Sequence, residues 1–198
     1  AIRNPVDMIP SYHARMVYHL HENERNLARA WDLQEARAKG ERLPRKCPHP
    51  LLLQYRHIGS LGSRLQELFA QVGRERCFVV VFDDFVADSV AVYRELLTFL
   101  GLEDDGRTNL RHRNANREFR WRWLQPFVMN PPRPLAALAT YRHLRAVRAV
   151  RRRLKRFNTR PAARPPLDAS MRETLRAAFD EEIRLLSSLL DRNLDPWR

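Results

Sequence analysis

The sequence lacks any hydrophobic run that could cross a membrane. Its longest continuous apolar stretch covers only residues 77–82, whereas a membrane-spanning helix needs ~20 apolar residues. It also shows no charged start followed by a long apolar segment, which is the pattern of a secretory signal. We therefore expect a soluble, cytoplasmic protein without a membrane segment.

Cysteine and metal-ligand patterns are also scarce. Cys47 and Cys77 stand far apart and form no CxxC motif, which argues against a disulfide framework and a zinc site. His19 and His21 are separated by one residue, so on a helix they point in nearly opposite directions. We expect no metal site and no metal cofactor.

Lysine is nearly absent, so arginine supplies the positive charge. Lys39, Lys46 and Lys155 are the only lysines, and 36 Lys+Arg against 23 Asp+Glu give a formal net charge of +13 at pH 7. This bias arises from a GC-rich, bacterial-like genome as easily as from phosphate binding. With 198 residues, 44% of them hydrophobic, the chain can bury a core.

Apolar periodicity predicts mainly helices and one strand. The β-branched run at 77–82 is typical of a strand buried in a parallel sheet, and the helix after it indicates an α/β arrangement. The first helix is predicted to begin at Asp7 and Met8, with Asp7 as N-cap and Pro10 in the first turn. Further helices are predicted over 24–39, 55–72, 88–100 and 135–157, and from a capping box of Ser170 and Glu173, with stops at Gly40, Gly73 and Gly101.

The start of the chain predicts a compact anion site. Arg3 leads into a turn and then into the helix that carries Ser11. Free N–H groups and the helix dipole favour an anion there, the guanidinium offers a bidentate fork, and the hydroxyl adds a donor. The alternative is an ordinary helix cap with Ser11 facing solvent.

The segment Arg3-Asn4-Pro5-Val6-Asp7, with Ser11 after it, resembles the 3′-phosphate-binding motif of the sulfotransferases that use 3′-phosphoadenosine 5′-phosphosulfate (PAPS). Residues 81–85, 93–102 and 166–197 are similar, in the same order, to later segments of that family. The resemblance implies a P-loop-NTPase-like three-layer α/β fold, truncated at its N-terminus and mostly helical with a short parallel sheet. Residues 1–198 would then be a partial domain that lacks the strand-loop-helix for the 5′-phosphosulfate.

The resemblance also implies roles for particular residues. Arg3 and Ser11 match the pair that holds the 3′-phosphate of PAPS, and Phe82 stands near the adenine, where other members have a Tyr. Arg160, with Arg164 second, occupies the late loop over the same phosphate, although both could be ordinary exposed arginines. No catalytic residue is assigned, the acceptor would be a hydroxyl or amine on a small molecule or glycan, and we expect the isolated chain to be inactive.

An arginine-rich stretch at 142–156 supports an alternative function, a non-enzymatic basic helical module that binds nucleic acid or another polyanion. A solvated helix face and a cleft for a polyanionic acceptor are the other interpretations of this stretch. We do not expect nucleic acid to be the partner, and the oligomeric state is not predicted. Asp83 and Asp84 are interpreted as a cap or loop anchor rather than as a catalytic carboxylate pair.

Overall fold

The computed structural model describes residues 1–110, 117–119, 121, 149, 152–154, 156–161 and 167–198. Within these residues the chain is mainly helical. The helices are α1 (Pro5–Tyr18), α2 (Leu27–Asp32), α3 (Gln34–Ala38), α4 (Tyr55–Gly59), α5 (Leu61–Val72), α6 (Phe82–Ala87), α7 (Ser89–Phe99) and α8 (Ala169–Leu190). Short 3-10 turns cover Pro50–Leu53, Arg74–Arg76 and Asp195–Trp197, and the strands are β1 (Arg117–Phe119) and β2 (Thr159–Pro161).

Helices are present where they were predicted in the described residues, but their bounds differ from the prediction. The helices predicted over 24–39 and 55–72 are each divided in two, as α2 with α3 and α4 with α5. The helix predicted over 135–157 falls mostly outside the described residues, which are helical at 149, 152–154 and 156–157. Across the described ranges, no helix is both long enough and apolar enough to span a bilayer.

Helix α1 begins earlier than predicted. Asn4 is its N-cap, because the Asn4 Oδ1 accepts a hydrogen bond from the Val6 N–H at 2.9 Å. Pro5 takes the first helical position, where a missing N–H has no intrahelical partner to lose. The prediction of Asp7 as N-cap is therefore wrong, and Pro10 lies inside the helix rather than in its first turn.

The predicted three-layer α/β fold with a short parallel sheet is wrong for the residues that the structure describes, which are mainly helical. Residues 77–82 do not form a strand: Val81 makes one isolated parallel bridge to Ile2, and α6 begins at the next residue. The run has the composition of a buried strand, but a strand exists only where a neighbouring segment completes its hydrogen-bond ladder. In the described residues the only two-stranded pairing is that of β1 with β2, which is antiparallel with Glu118 opposite Arg160.

Helix α8 forms the centre of the core. It buries one stripe at helical spacing against α5, α1 and α4, and this stripe consists of Met171, Leu175, Phe179, Ile183 and Leu186. Asp168 is the N-cap residue of α8. The predicted capping box is wrong, because Ser170 lies inside the helix and its hydroxyl donates to the Asp168 carboxylate.

Two glycines allow α4 and α5 to approach α8 closely. A Cβ at Gly59 would lie 2.3 Å from the Phe179 ring, and one at Gly62 would lie 2.6 Å from the Glu182 carbonyl oxygen. The Glu182 carboxylate accepts hydrogen bonds from the Ser63 N–H at 2.9 Å and from the Ser63 hydroxyl at 2.6 Å. It thereby caps the first turn of α5, which has no side-chain cap of its own.

Candidate functional site

A backbone bridge between Ile2 and Val81, the residues just before Arg3 and Phe82, brings Arg3 and Phe82 together. The Ile2 N–H donates to the Val80 carbonyl and the Phe82 N–H donates to the Ile2 carbonyl, both at 2.8 Å. The Arg3 Cζ consequently lies 4.8 Å from the centroid of the Phe82 ring, within cation–π range. Among the described residues no carboxylate pairs with Arg3, which is half-buried, while Phe82 is 36% exposed. The pair therefore presents a cation on an aromatic ring.

The N–H groups at the start of α1 are already occupied. Pro5 has none, the Val6 N–H is bound by the Asn4 side chain, and those of Asp7 and Met8 donate to the Asn4 carbonyl at 3.2 and 2.9 Å. The prediction that free N–H groups help to hold an anion here is therefore wrong. Binding of an anion beside α1 would depend on the Arg3 guanidinium and on the helix dipole.

Ser11 lies further along α1 than the predicted helix start implied. It follows Pro5 by six positions, which places it about 9 Å along the helix axis at 1.5 Å per residue. Its hydroxyl donates to the Asp7 carbonyl at 3.0 Å. To donate to a phosphate, the hydroxyl would have to turn away from this carbonyl.

Of the second predicted phosphate loop the structure describes residues 158–161, which include the backbone of Arg160. Its backbone lies in β2 opposite Glu118 of β1, and the β1 backbone lies near α1. The Arg160 backbone therefore lies one strand spacing, about 5 Å, from an element that contacts α1. Arg164 lies outside the described residues.

Asn158 fixes the start of β2 and was not singled out from the sequence. Its buried side chain accepts a hydrogen bond from the Trp121 N–H at 2.8 Å and donates to the Trp121 carbonyl at 3.1 Å. The amide thus replaces a backbone pairing between the two segments. Nothing in the spacing of these residues along the chain indicates that they meet.

The C-terminal turn contacts the residues that follow Arg3 and Phe82. The Asn4 Nδ2 donates to the Trp197 carbonyl oxygen at 3.3 Å, and the Trp197 Nε1 donates to the Asp83 Oδ2 at 2.9 Å. Sequence reasoning missed these contacts, because the partners are separated by most of the chain and no local pattern links them. Trp197 therefore binds both the residue after Arg3 and the residue after Phe82.

Asp84 is a second anchor at the start of α6. Arg192 binds its carboxylate through both terminal nitrogens, with Nη2 at 2.7 Å from Oδ1. The hydrogen bonds from Arg192 hold the pKa of Asp84 below its ordinary value. Asp83 and Asp84 lie in the first turn of α6 and bind Trp197 and Arg192. Of the two predicted roles, cap or loop anchor, these contacts match the anchor.

A buried charged cluster lies elsewhere, around the Glu22 carboxylate. The Arg37 guanidinium binds both Glu22 oxygens at 2.6 Å with both side chains fully buried, and the Tyr55 hydroxyl donates to Oε2 at 2.6 Å. Burial opposes ionisation of Glu22, but the hydrogen bonds from Arg37 and Tyr55 outweigh it and lower its pKa. Burial also raises the pKa of Tyr55 and lowers that of the neighbouring His13. Both Glu22 oxygens are bound by protein groups and closed off from solvent. We therefore interpret Glu22 as a structural residue that is not placed to act on a substrate.

A shallow cavity of about 440 Å³ opens beside the end of α8. Three arginines line it, and each of them is paired with an aspartate: Arg184 and Arg198 with Asp180, and Arg192 with Asp84. These charges are already compensated, whereas Arg3 has no carboxylate partner in the part of the chain that the structure describes. No group of three or more His, Cys, Asp or Glu side chains within the described ranges is placed to hold a metal ion.

No protein-family model matches this chain, and a comparison with curated proteins finds no match. Among solved structures, it is similar to the crystal structure of a sulfotransferase from Alicyclobacillus acidocaldarius, with a TM-score of 0.61 and 20% sequence identity. The chain has a sulfotransferase-like fold. The match covers 100% of this chain and 55% of the other, so this chain spans about half the length of that sulfotransferase.

Proposed function

We propose that this chain belongs to a sulfotransferase that uses PAPS, and that Arg3 binds the 3′-phosphate of this donor. The shared fold with a protein described as a sulfotransferase supports the reaction class. The observation that carries the assignment is the Arg3 guanidinium over the Phe82 ring, without a carboxylate partner among the described residues. PAPS would supply the sulfuryl group, which passes to a hydroxyl or amine of the acceptor and leaves adenosine 3′,5′-bisphosphate.

The residues at the site fit a nucleotide phosphate in their chemistry. A guanidinium presents parallel N–H groups that match two phosphate oxygens. Among the described residues Arg3 has no carboxylate partner that it would have to leave first. Phe82 offers apolar ring surface beside Arg3 but no hydroxyl. We therefore expect Phe82 to contact the nucleotide by packing alone.

Other assignments in the site are part of the same proposal. Ser11 and Arg160 would add donors to the phosphate, with Arg164 as the alternative to Arg160. A small molecule or a glycan would be the acceptor, and no described residue is proposed as the catalytic base.

Calorimetric titration with adenosine 3′,5′-bisphosphate and with adenosine 5′-monophosphate tests the proposal. The wild type should prefer the bisphosphate, and Arg3→Ala should weaken its binding by about 10- to 100-fold, the loss expected for a hydrogen-bonded charge pair. Arg3→Lys should be intermediate, because it keeps the charge without the fork. Arg176→Ala, at an exposed arginine of α8, is the matched control and should bind as the wild type does.

Two results would contradict the proposal. One is equal binding of the two nucleotides by the wild type, and the other is unchanged bisphosphate binding by Arg3→Ala. Strongly salt-dependent binding of random DNA that Arg3→Ala does not alter would instead support the basic-module alternative.

A further inference from the structure

Trp197 is placed to control the geometry of the Arg3 and Phe82 pair. We propose that it is a positioning residue for phosphate binding, acting through its indole N–H and its carbonyl oxygen. This inference rests on the proposed function. It assigns a role to a residue that does not itself contact the phosphate.

Trp197 binds both segments, the one that carries Arg3 and the one that carries Phe82. Asn4 follows Arg3 and donates to the Trp197 carbonyl at 3.3 Å, while Asp83 follows Phe82 and accepts from the indole Nε1 at 2.9 Å. The backbones of the two segments also meet at the bridge of Ile2 with Val81. Because Trp197 binds both segments, it restricts their relative position in addition to the Ile2–Val81 bridge.

Trp197 is itself held in place by burial. Its side chain is 7% exposed and belongs to the hydrophobic core. The turn Asp195–Trp197 packs against α8, the central helix of that core. Trp197 therefore joins the segments of Arg3 and Phe82 to the hydrophobic core around α8.

The hydrogen bond between Trp197 and Asp83 is of a strong kind. The indole N–H donates to a carboxylate, and hydrogen bonds with one ionised partner are stronger than neutral ones. Asp84 and Arg192 form another tie near Phe82, but this ion pair joins α6 to the residues after α8 and does not include the segment that carries Arg3. A bidentate guanidinium contact tolerates errors of only about 0.5 Å, so loss of the Trp197 bond should weaken phosphate binding at Arg3.

The direct test reads the position of Arg3 without any ligand. Protons of the Arg3 side chain over the Phe82 ring should show upfield ring-current shifts in the NMR spectrum. Trp197→Phe removes the indole N–H but keeps an aromatic ring, and it should move these shifts toward the values of an unstacked arginine. Arg198→Ala changes the neighbouring residue, which pairs with Asp180 and Asp195, and should leave the shifts in place.

A double-mutant cycle separates positioning from simple destabilisation. Trp197→Phe should weaken binding of adenosine 3′,5′-bisphosphate about fivefold in the wild type but have no further effect in an Arg3→Ala background. The loss of thermal stability should be the same in both backgrounds. Asp83→Ala breaks the same bond without touching the indole, so it should reproduce both results even if Trp197→Phe does not fold.

The outcomes distinguish this inference from the proposed function. Unchanged Arg3 shifts in both Trp197→Phe and Asp83→Ala, or an equal affinity loss with and without Arg3, would overturn the positioning role. If the wild type does not bind the bisphosphate, the proposed function fails. The ligand-free shifts then still decide whether Trp197 positions Arg3.

Discussion

Replacement of Glu22 by Gln should be the most destabilising conservative change in the described core. The Glu22 Oε1 accepts hydrogen bonds from Arg37 and from the N–H groups of Asn23 and Glu24, and Oε2 accepts from Arg37 and Tyr55. Whichever way the introduced side-chain amide turned, its NH2 would face an Arg37 N–H. The variant would also leave the guanidinium buried without a counter-charge.

The expected loss follows from this burial. Breaking a buried ion pair from one side costs about 3–5 kcal/mol. For a chain of this length, that lowers the melting temperature by about 6–20 °C. Tyr55→Phe removes one hydrogen bond to the same carboxylate and should cost about 1.5–3 kcal/mol.

Equilibrium unfolding in urea, followed by circular dichroism, measures these differences. Glu35→Gln is the matched control, because Glu35 pairs with Lys39 on the surface with both side chains mostly exposed. It should cost less than about 0.5 kcal/mol. A Glu22→Gln variant as stable as Glu35→Gln would refute the assignment of Glu22 as a stabilising buried charge.

Two further predictions concern packing and pH. Gly59→Ala should cost about 1–3 kcal/mol in urea unfolding because its Cβ would meet the Phe179 ring at 2.3 Å, and Phe179→Leu in the same chain should recover part of that loss. Stability should fall in two steps on acidification. Burial lowers the pKa of His13 in the folded protein, so the first loss begins below pH about 6.5, the ordinary value of a histidine. The pKa of Glu22 is also lowered in the folded protein, so the second loss begins below pH about 4.5. Each group binds its proton more readily in the unfolded chain, so melting curves of His13→Gln should lack the upper step; an unchanged upper step would exclude His13 as its cause.

Local signals in the sequence determined where several helices end. Gly40, Gly73 and Gly101 all adopt positive φ at the predicted stops, a conformation that glycine reaches without steric cost. Asp88 begins α7 as predicted, with its side chain accepting from the N–H groups of Val90 and Ala91. Such signals act over a few residues and need no knowledge of the rest of the chain.

Competing local signals explain the errors at helix starts. Asn4 and Asp7 are both good caps, and the choice of Asp7 rested on keeping Pro10 within the first turn. The structure starts α1 at Pro5 and accepts Pro10 inside it. Val6 and Ile9 are buried in the core by this arrangement, and tertiary packing can outweigh a local cost of this kind.

The candidate site could be predicted only in part. Arg3, Ser11 and Phe82 were identified from a motif, but their distances depend on how segments remote in sequence meet. The bridge of Ile2 with Val81 brings Arg3 to Phe82, whereas Ser11 keeps its hydroxyl bonded to its own helix. The roles of these three residues in binding PAPS, with Arg160 and Arg164, remain predictions.

By itself the sequence determined the mainly helical character of the chain, the apolar stripe of α8 and an arginine near the start of α1, because periodicity and composition act locally. Only the tertiary structure decided that residues 77–82 form no strand, since a hydrogen-bond ladder requires a partner segment. It also decided that Trp197 ties Asn4 to Asp83. Contacts between residues so distant in sequence depend on packing of the whole chain, which no local pattern encodes.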